Sequence, residues 1–266
     1  MFIKINMFIK INRTAIINME MDAYIKKDYY INGQLKSEVF INNGVVDGIY
    51  KEYYENGNLR VECNYVDNKL NGKYKYYYSI DSYNEVNYVD GKREGVRKTY
   101  YDGKVICEYN YVNGLIEGVH RAYYKNGNIS TICHYNNNKI EGEYKSYHEN
   151  GEINELCNYV GGKLHGQYWS LHDNGEILED CNYINGKLHG KWIKNFENGE
   201  LMEMCNFIDH HVSGDYKTYD ENGELEHISN FVNGEICYKI GKPNDDCGFI
   251  RGCRTKGEGP FKDLYN

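Results

Sequence analysis

The chain repeats itself at a fixed period of about 24 residues, within the range that marks stacked repeat units. Cys133, Cys157, Cys181 and Cys205 recur at that spacing inside near-identical segments: EGEYKSYHENGEINELCNYVGGK from Glu141, HGQYWSLHDNGEILEDCNYINGK from His165 and HGKWIKNFENGELMEMCNFIDHH from His189. Fixed-period self-similarity marks a repeat architecture, in which each unit buries its apolar side mainly against its neighbours. A body of that kind offers a surface rather than one central cavity.

Two columns set the local structure. The first is a glycine at Gly48, Gly72, Gly95, Gly118, Gly142, Gly166, Gly190 and Gly214, followed two residues on by an aromatic in most copies (Tyr50, Tyr74, Tyr144, Tyr168, Trp192, Tyr216). The second is Asn-Gly or Asp-Gly, from Asn32-Gly33 to Asn222-Gly223, lost only around Ser79 to Tyr83, which reads as a worn copy. Asn-Gly tolerates positive φ at both turn centres and signals a hairpin between apolar runs. Each repeat is therefore expected to hold two strands and two turns. For the copy at Gly142 the reading is strand 143–148, turn 149–152, strand 153–160 and turn 161–165. In the second strand Ile153, Cys157 and Tyr159 share one alternation phase, the expected packed face. Glu155, Glu179 and Glu203 fall in the same phase and read as a solvated acidic stripe.

These residues carry a family resemblance. The pattern G-x-Y-x-x-Y-Y-x-N-G-x-L followed by Y-x-x-G-K, seen in Gly72-Lys73-Tyr74, Tyr77-Tyr78, Asn56-Gly57-Asn58-Leu59 and Asn185-Gly186-Lys187, resembles the MORN repeat. It is most similar to the variant of bacterial antitoxin-like and giant-virus proteins. The resemblance implies an all-β fold, an elongated, single-layer antiparallel β-hairpin array of about 24 residues per repeat. Such arrays are used for scaffolding, oligomerisation or partner binding and in some members at membranes. On this reading residues 1–28 are an N-terminal extension or cap. Residues 29–240 are the array, with eight clear copies plus partial terminal ones, and 241–266 are a C-terminal cap or disordered tail. At about 4.8 Å per strand, eight copies extend on the order of 75 Å before twist.

Charge narrows the partners. The net charge is -8, and the two ends are slightly positive (+2 over residues 1–28, +1 over 241–266), leaving -11 on the array. Nucleic acid requires clustered cations, so this balance excludes it, and it also argues against docking to anionic lipid. Equivalent cysteines in adjacent copies lie two strands apart, about 9–10 Å, beyond the roughly 7 Å that a disulfide tolerates. With no C-x-x-C in the sequence, Cys63, Cys133, Cys157, Cys181 and Cys205 read as reduced core residues, pointing to the cytoplasm, or to host cytoplasm or virion if the protein is viral. No catalytic, metal or cofactor constellation emerges, and the expectation is no enzyme and no cofactor. The expected function is a non-enzymatic repeat scaffold mediating protein–protein interaction. Its candidate contact residues are Tyr53, Tyr77, Tyr100, Tyr123, Tyr147 and Tyr219, since tyrosine is favoured at interfaces. The alternative is an antitoxin-like neutralising binder of a toxin or effector, ahead of a membrane-associated scaffold or a regulatory part of an enzyme. Sheet ends offer a further route to self-association.

Overall fold

The computed structural model describes residues 5–11, 15–232 and 234–240. Among them no helix occurs, and every strand pairs antiparallel with a neighbour in sequence. The fold class expected from the repeat is the one found. Ile5–Ile11 and Ala15–Met21 form a separate two-stranded hairpin. The main sheet begins at Ala23–Tyr29, which pairs with Leu35–Asn42, a few residues before the expected boundary. Two compact units divide between Gly127 and Asn128, and each is a hairpin meander. The expected tail, 241–266, lies outside the described residues.

The two turn columns are chemically different, which corrects the reading of Asn-Gly. Positive φ at both turn centres belongs to the other turn of each repeat, at Asn43-Gly44, Asp67-Asn68, Asp90-Gly91, Asn113-Gly114, Asn137-Asn138, Gly161-Gly162, Asn185-Gly186 and Asp209-His210. These two-residue turns follow the right-handed twist of the strands they join. In the Asn-Gly turns only the glycine has positive φ, for example 93° at Gly151. There Gly151 N–H donates to His148 O (2.9 Å) and His148 N–H to Glu152 O (2.8 Å), a wider loop closed by the glycine. The asparagine acts through its side chain: Asn150 Oδ1 accepts from Glu152 N–H (2.9 Å), and its Nδ2 donates to Asp173 O in the next repeat (2.9 Å). Asn174 repeats both contacts, with Glu176 N–H and Glu197 O. Asp102-Gly103, with φ of 51° and 72°, is the one copy in that column that behaves as first expected.

The first strand of each repeat is also longer than expected. Lys139–Tyr147 runs through the column glycine, and Lys163–Leu171 absorbs residues expected in a turn. Gly142 sits at a bulge, where the register jumps between Cys133 opposite Tyr144 and Tyr135 opposite Ile140. Its φ is 78°, a conformation that costs an L-residue about 1–2 kcal/mol. In three copies the ladder breaks at this point, as between Lys187–Leu188 and Gly190–Asn195.

Repeats are tied to one another at both edges. At the two-residue turns, the second residue donates to a carbonyl of the preceding repeat: Gly186 N–H to Leu164 O (2.7 Å), His210 N–H to Leu188 O (3.0 Å). At the opposite edge, Tyr54 Oη–H donates to Tyr77 O (2.7 Å), and the Nε2–H groups of His148 and His172 donate to Leu171 O (2.9 Å) and Asn195 O (3.1 Å). These imidazoles are structural straps. A Cβ added at Gly142 meets nothing within 4 Å, so Gly142→Ala isolates the backbone effect. It should cost about 1–2 kcal/mol in denaturant unfolding, with Gly142→Asn losing less because asparagine tolerates this conformation.

Candidate protein-binding face

Alternation gives each sheet a packed face and a back face. On the packed face the cysteine column is almost wholly sealed: relative exposure is 3% at Cys63, 4% at Cys133, 3% at Cys157, 2% at Cys181 and 1% at Cys205. In the second unit Cys181 and Cys205 join Leu188, Trp192, Phe207, Val212 and Tyr216 in one cluster. Burial pushes the Cys63, Cys157 and Cys205 thiols up to about 12. They are neutral packing groups, as read from spacing. With iodoacetamide on the native protein, Cys237, which is exposed, should be alkylated and these buried thiols spared until denaturant is added; peptide mass mapping reads the difference.

The glutamate column does not form a solvated stripe. It lies on the packed face beside the cysteines, and each carboxylate is held by the aromatic of the following repeat. Tyr168 Oη–H donates to Glu155 (2.8 Å) and Tyr216 Oη–H to Glu203 (2.7 Å), while Trp192 Nε1–H donates to Glu179. Ser146 Oγ–H adds a second bond to Glu155 (3.1 Å). These bonds replace water for a half-buried carboxylate. At Glu179 desolvation outweighs the indole bond and Lys194, and its pKa is raised. A raised carboxyl contributes stability below the ordinary carboxylate pKa and loses it as pH climbs through the folded value. Glu179→Gln should therefore unfold at higher denaturant than wild type at neutral pH, an advantage that vanishes in acid below the ordinary carboxylate range.

The back face separates the two units. Its central row can be followed directly through the pairing. In the first unit it reads Lys27, Glu38, Lys51, Glu62, Lys75, Glu85, Lys98, Glu108, Arg121, each opposite the next. Lys27–Glu38 (3.5 Å), Lys51–Glu62 (3.7 Å), Lys75–Glu85 (3.3 Å) and Lys98–Glu108 (3.1 Å) are ion pairs. Partly exposed pairs of this kind stabilise by about 0–1 kcal/mol each, so the ladder mainly neutralises itself and holds water. In the second unit the same row reads Ile132, Lys145, Leu156, Trp169, Asp180, Ile193, Met204, Lys217, Ile228. Six apolar side chains, all partly solvent-accessible, stand where the first unit has charges.

The predicted tyrosines lie beside this row on the same face. Tyr53 Oη–H donates to Glu38 (2.9 Å) and Tyr123 Oη–H to Glu108 (3.0 Å), and Tyr219 points its hydroxyl at Met204 Sδ (3.7 Å). Burial, then the Glu38 bond, pushes the Tyr53 phenol up to about 12. Tyr77 packs on Tyr83, which stacks on Tyr100 with ring centres 4.4 Å apart. Tyr77 also lines an open groove of about 990 Å³ with Tyr54, Leu59, Tyr78 and Ile80. Tyr147 ends its strand opposite Ile153, where a register shift after Ser146 takes Ile153 out of the packed phase it was expected to share with Cys157 and Tyr159. Leu171 and Asn195 occupy the column between Tyr147 and Tyr219. Sequence reasoning missed the apolar row itself, though its signal exists: aligned copies show Glu62, Glu85 and Glu108 giving way to Ile132, Leu156, Met204 and Ile228.

A hairpin with a bulge glycine, an Asn-Gly loop and a two-residue turn, recurring at one fixed step along the chain, is the geometry expected of MORN-type repeats. Five segments match the MORN repeat variant. They are residues 46–67, 116–137, 140–160, 188–209 and 213–233. Each MORN-type match covers one hairpin, from the strand that carries the column glycine to the edge of the two-residue turn. The stretches between them, 68–115 and 161–187, keep the same pairing, as in Gly166 opposite Tyr183 and Gly72 opposite Tyr88. No curated protein matches this chain. Among the described residues no group of three or more His, Cys, Asp or Glu could hold a metal ion.

Proposed function

We propose that this chain is a non-enzymatic repeat scaffold that binds protein through the back face of its second unit. The observation that carries the reading is the change in the central row, from a self-neutralising ion ladder to an apolar row. Water solvates the first kind of face without cost, whereas an ordered apolar row gains by being covered, at roughly 25 cal/mol per Å². Trp169 is the natural anchor, because tryptophan is among the side chains that most often dominate binding energy at interfaces. MORN repeats are commonly interaction modules and generally non-catalytic, which supports the reading. Neutralisation of a toxin or effector, as in antitoxin-like proteins, would use the same face with a single tight partner; a toxin encoded beside this chain would favour that narrower reading.

A photo-crosslinking amino acid at position 169 or 193 should give covalent adducts with protein in the native host, and the same probe at position 75 or 98 on the ion ladder should give none. Equal labelling at both pairs of positions would sink the proposal. Trp169→Ala should lower adduct yield at position 193 by roughly tenfold or more, the range of an interface anchor.

A further inference from the structure

The charges on the apolar row are placed symmetrically, and we infer that its occupant is a second copy of this chain. From Trp169 to Ile228 the row reads Trp169, Asp180, Ile193, Met204, Lys217, Ile228, one residue per strand. Reversed, it places Ile228 on Trp169, Lys217 on Asp180 and Met204 on Ile193. A two-fold axis parallel to the strands, lying between two sheets packed back to back, performs that reversal. The Asp180–Lys217 ion pair then forms twice, once on each side of the axis, and every other position of the row sets apolar against apolar. The other face-to-face two-fold keeps the row order and would stack Asp180 on Asp180 and Lys217 on Lys217, so charge selects the antiparallel arrangement.

One outer row of the face agrees. The row near the two-residue turns carries exposed Val160, Ile184, Ile208 and Val232. Each is paired with Lys163, Lys187, His211 or Glu235 across its own hairpin. Under the same axis Lys187 meets Ile208 and Lys163 meets Val232, so lysine never faces lysine. Each charge of the central row also keeps an internal contact: Asp180 accepts from Gln167 Nε2–H, and Lys217 lies 3.8 Å from Asp215. Neither is left bare in the monomer. Six strands at about 4.8 Å and about eight residues at 3.4 Å cover roughly 780 Å² per partner, close to the roughly 800 Å² of a standard specific interface. The first unit lacks the means, since its ladder has no apolar residue between charges.

This inference rests on the back face being an interface, and the experiment separates the two. Sedimentation velocity of the full chain at roughly 100 μM should show a dimer, given that interfaces of this area reach micromolar affinity or better. Asp180→Lys should weaken the dimer by roughly tenfold or more, and Asp180→Lys with Lys217→Asp should restore it, because the swapped charges meet again across the axis. Circular dichroism checks that each variant is folded. Zero-length carbodiimide coupling needs no variant. In a mixture of ¹⁴N- and ¹⁵N-labelled wild-type chains it should join Asp180 to Lys217 in mixed-isotope peptides. Within one chain the two lie three strands, about 14 Å, apart and cannot couple. A monomeric wild type, an unaffected Asp180→Lys dimer, or no rescue by the double swap overturns the inference. If the wild type is monomeric while adducts at position 193 still depend on Trp169, the binding face stands and its partner is a different protein.

Discussion

The fixed step from one repeat to the next is the constraint on which the rest of the structure depends. A strand alternates faces with period two, so a slip of one residue would turn the sealed cysteines to solvent and bring the back-face charges inside. Two different turns prevent that slip. The two-residue turn fixes register within a hairpin and ties it to the preceding repeat through one backbone donor, as Gly186 does to Leu164. The Asn-Gly loop does the same at the other edge through side chains, as Asn150 does to Asp173. Order is therefore local at every point, and no distant contact is needed to set it.

With register fixed, the two faces take on separate duties. The packed face is saturated: thiols fill small gaps between aromatic rings, and glutamates that would otherwise be unpaired accept bonds from Tyr168, Trp192 and Tyr216. Little freedom remains there, because each side chain serves the repeat beside it. Nothing in the fold demands a particular back face. That face is charged and self-neutral in the first unit, apolar with sparse charges in the second, and it is where a repeat protein can differ from its own copies without unfolding.

Resemblance and match agree on the kind of repeat and differ in extent. The five matched MORN segments leave gaps at 68–115 and 161–187, yet strand pairing continues through both. Around Ser79 to Ser82 the Asn-Gly loop is replaced by one in which Tyr78 N–H and Ser79 N–H both donate to Ser82 O, 2.9 and 3.1 Å. The hairpin survives because the flanking strands, 72–77 and 83–89, still pair in register.

The sequence by itself determined the period, the all-β class, the hairpin order and the burial of the cysteine column, because each follows from local chemistry repeated at fixed spacing. It also picked out the tyrosines, but not the face on which the paired strands set them. Only the tertiary structure decided which turn takes positive φ at both centres, since Asn-Gly is compatible with either geometry: Asn185-Gly186 takes it and Asn150-Gly151 does not. It also decided the fate of Glu155, Glu179 and Glu203: a charged residue in a packed phase looks like an error until the hydroxyl or indole of the following repeat is seen to reach it. The apolar row of the second unit was spelled out in the sequence, one residue per strand, but became a surface only once antiparallel pairing set those residues side by side.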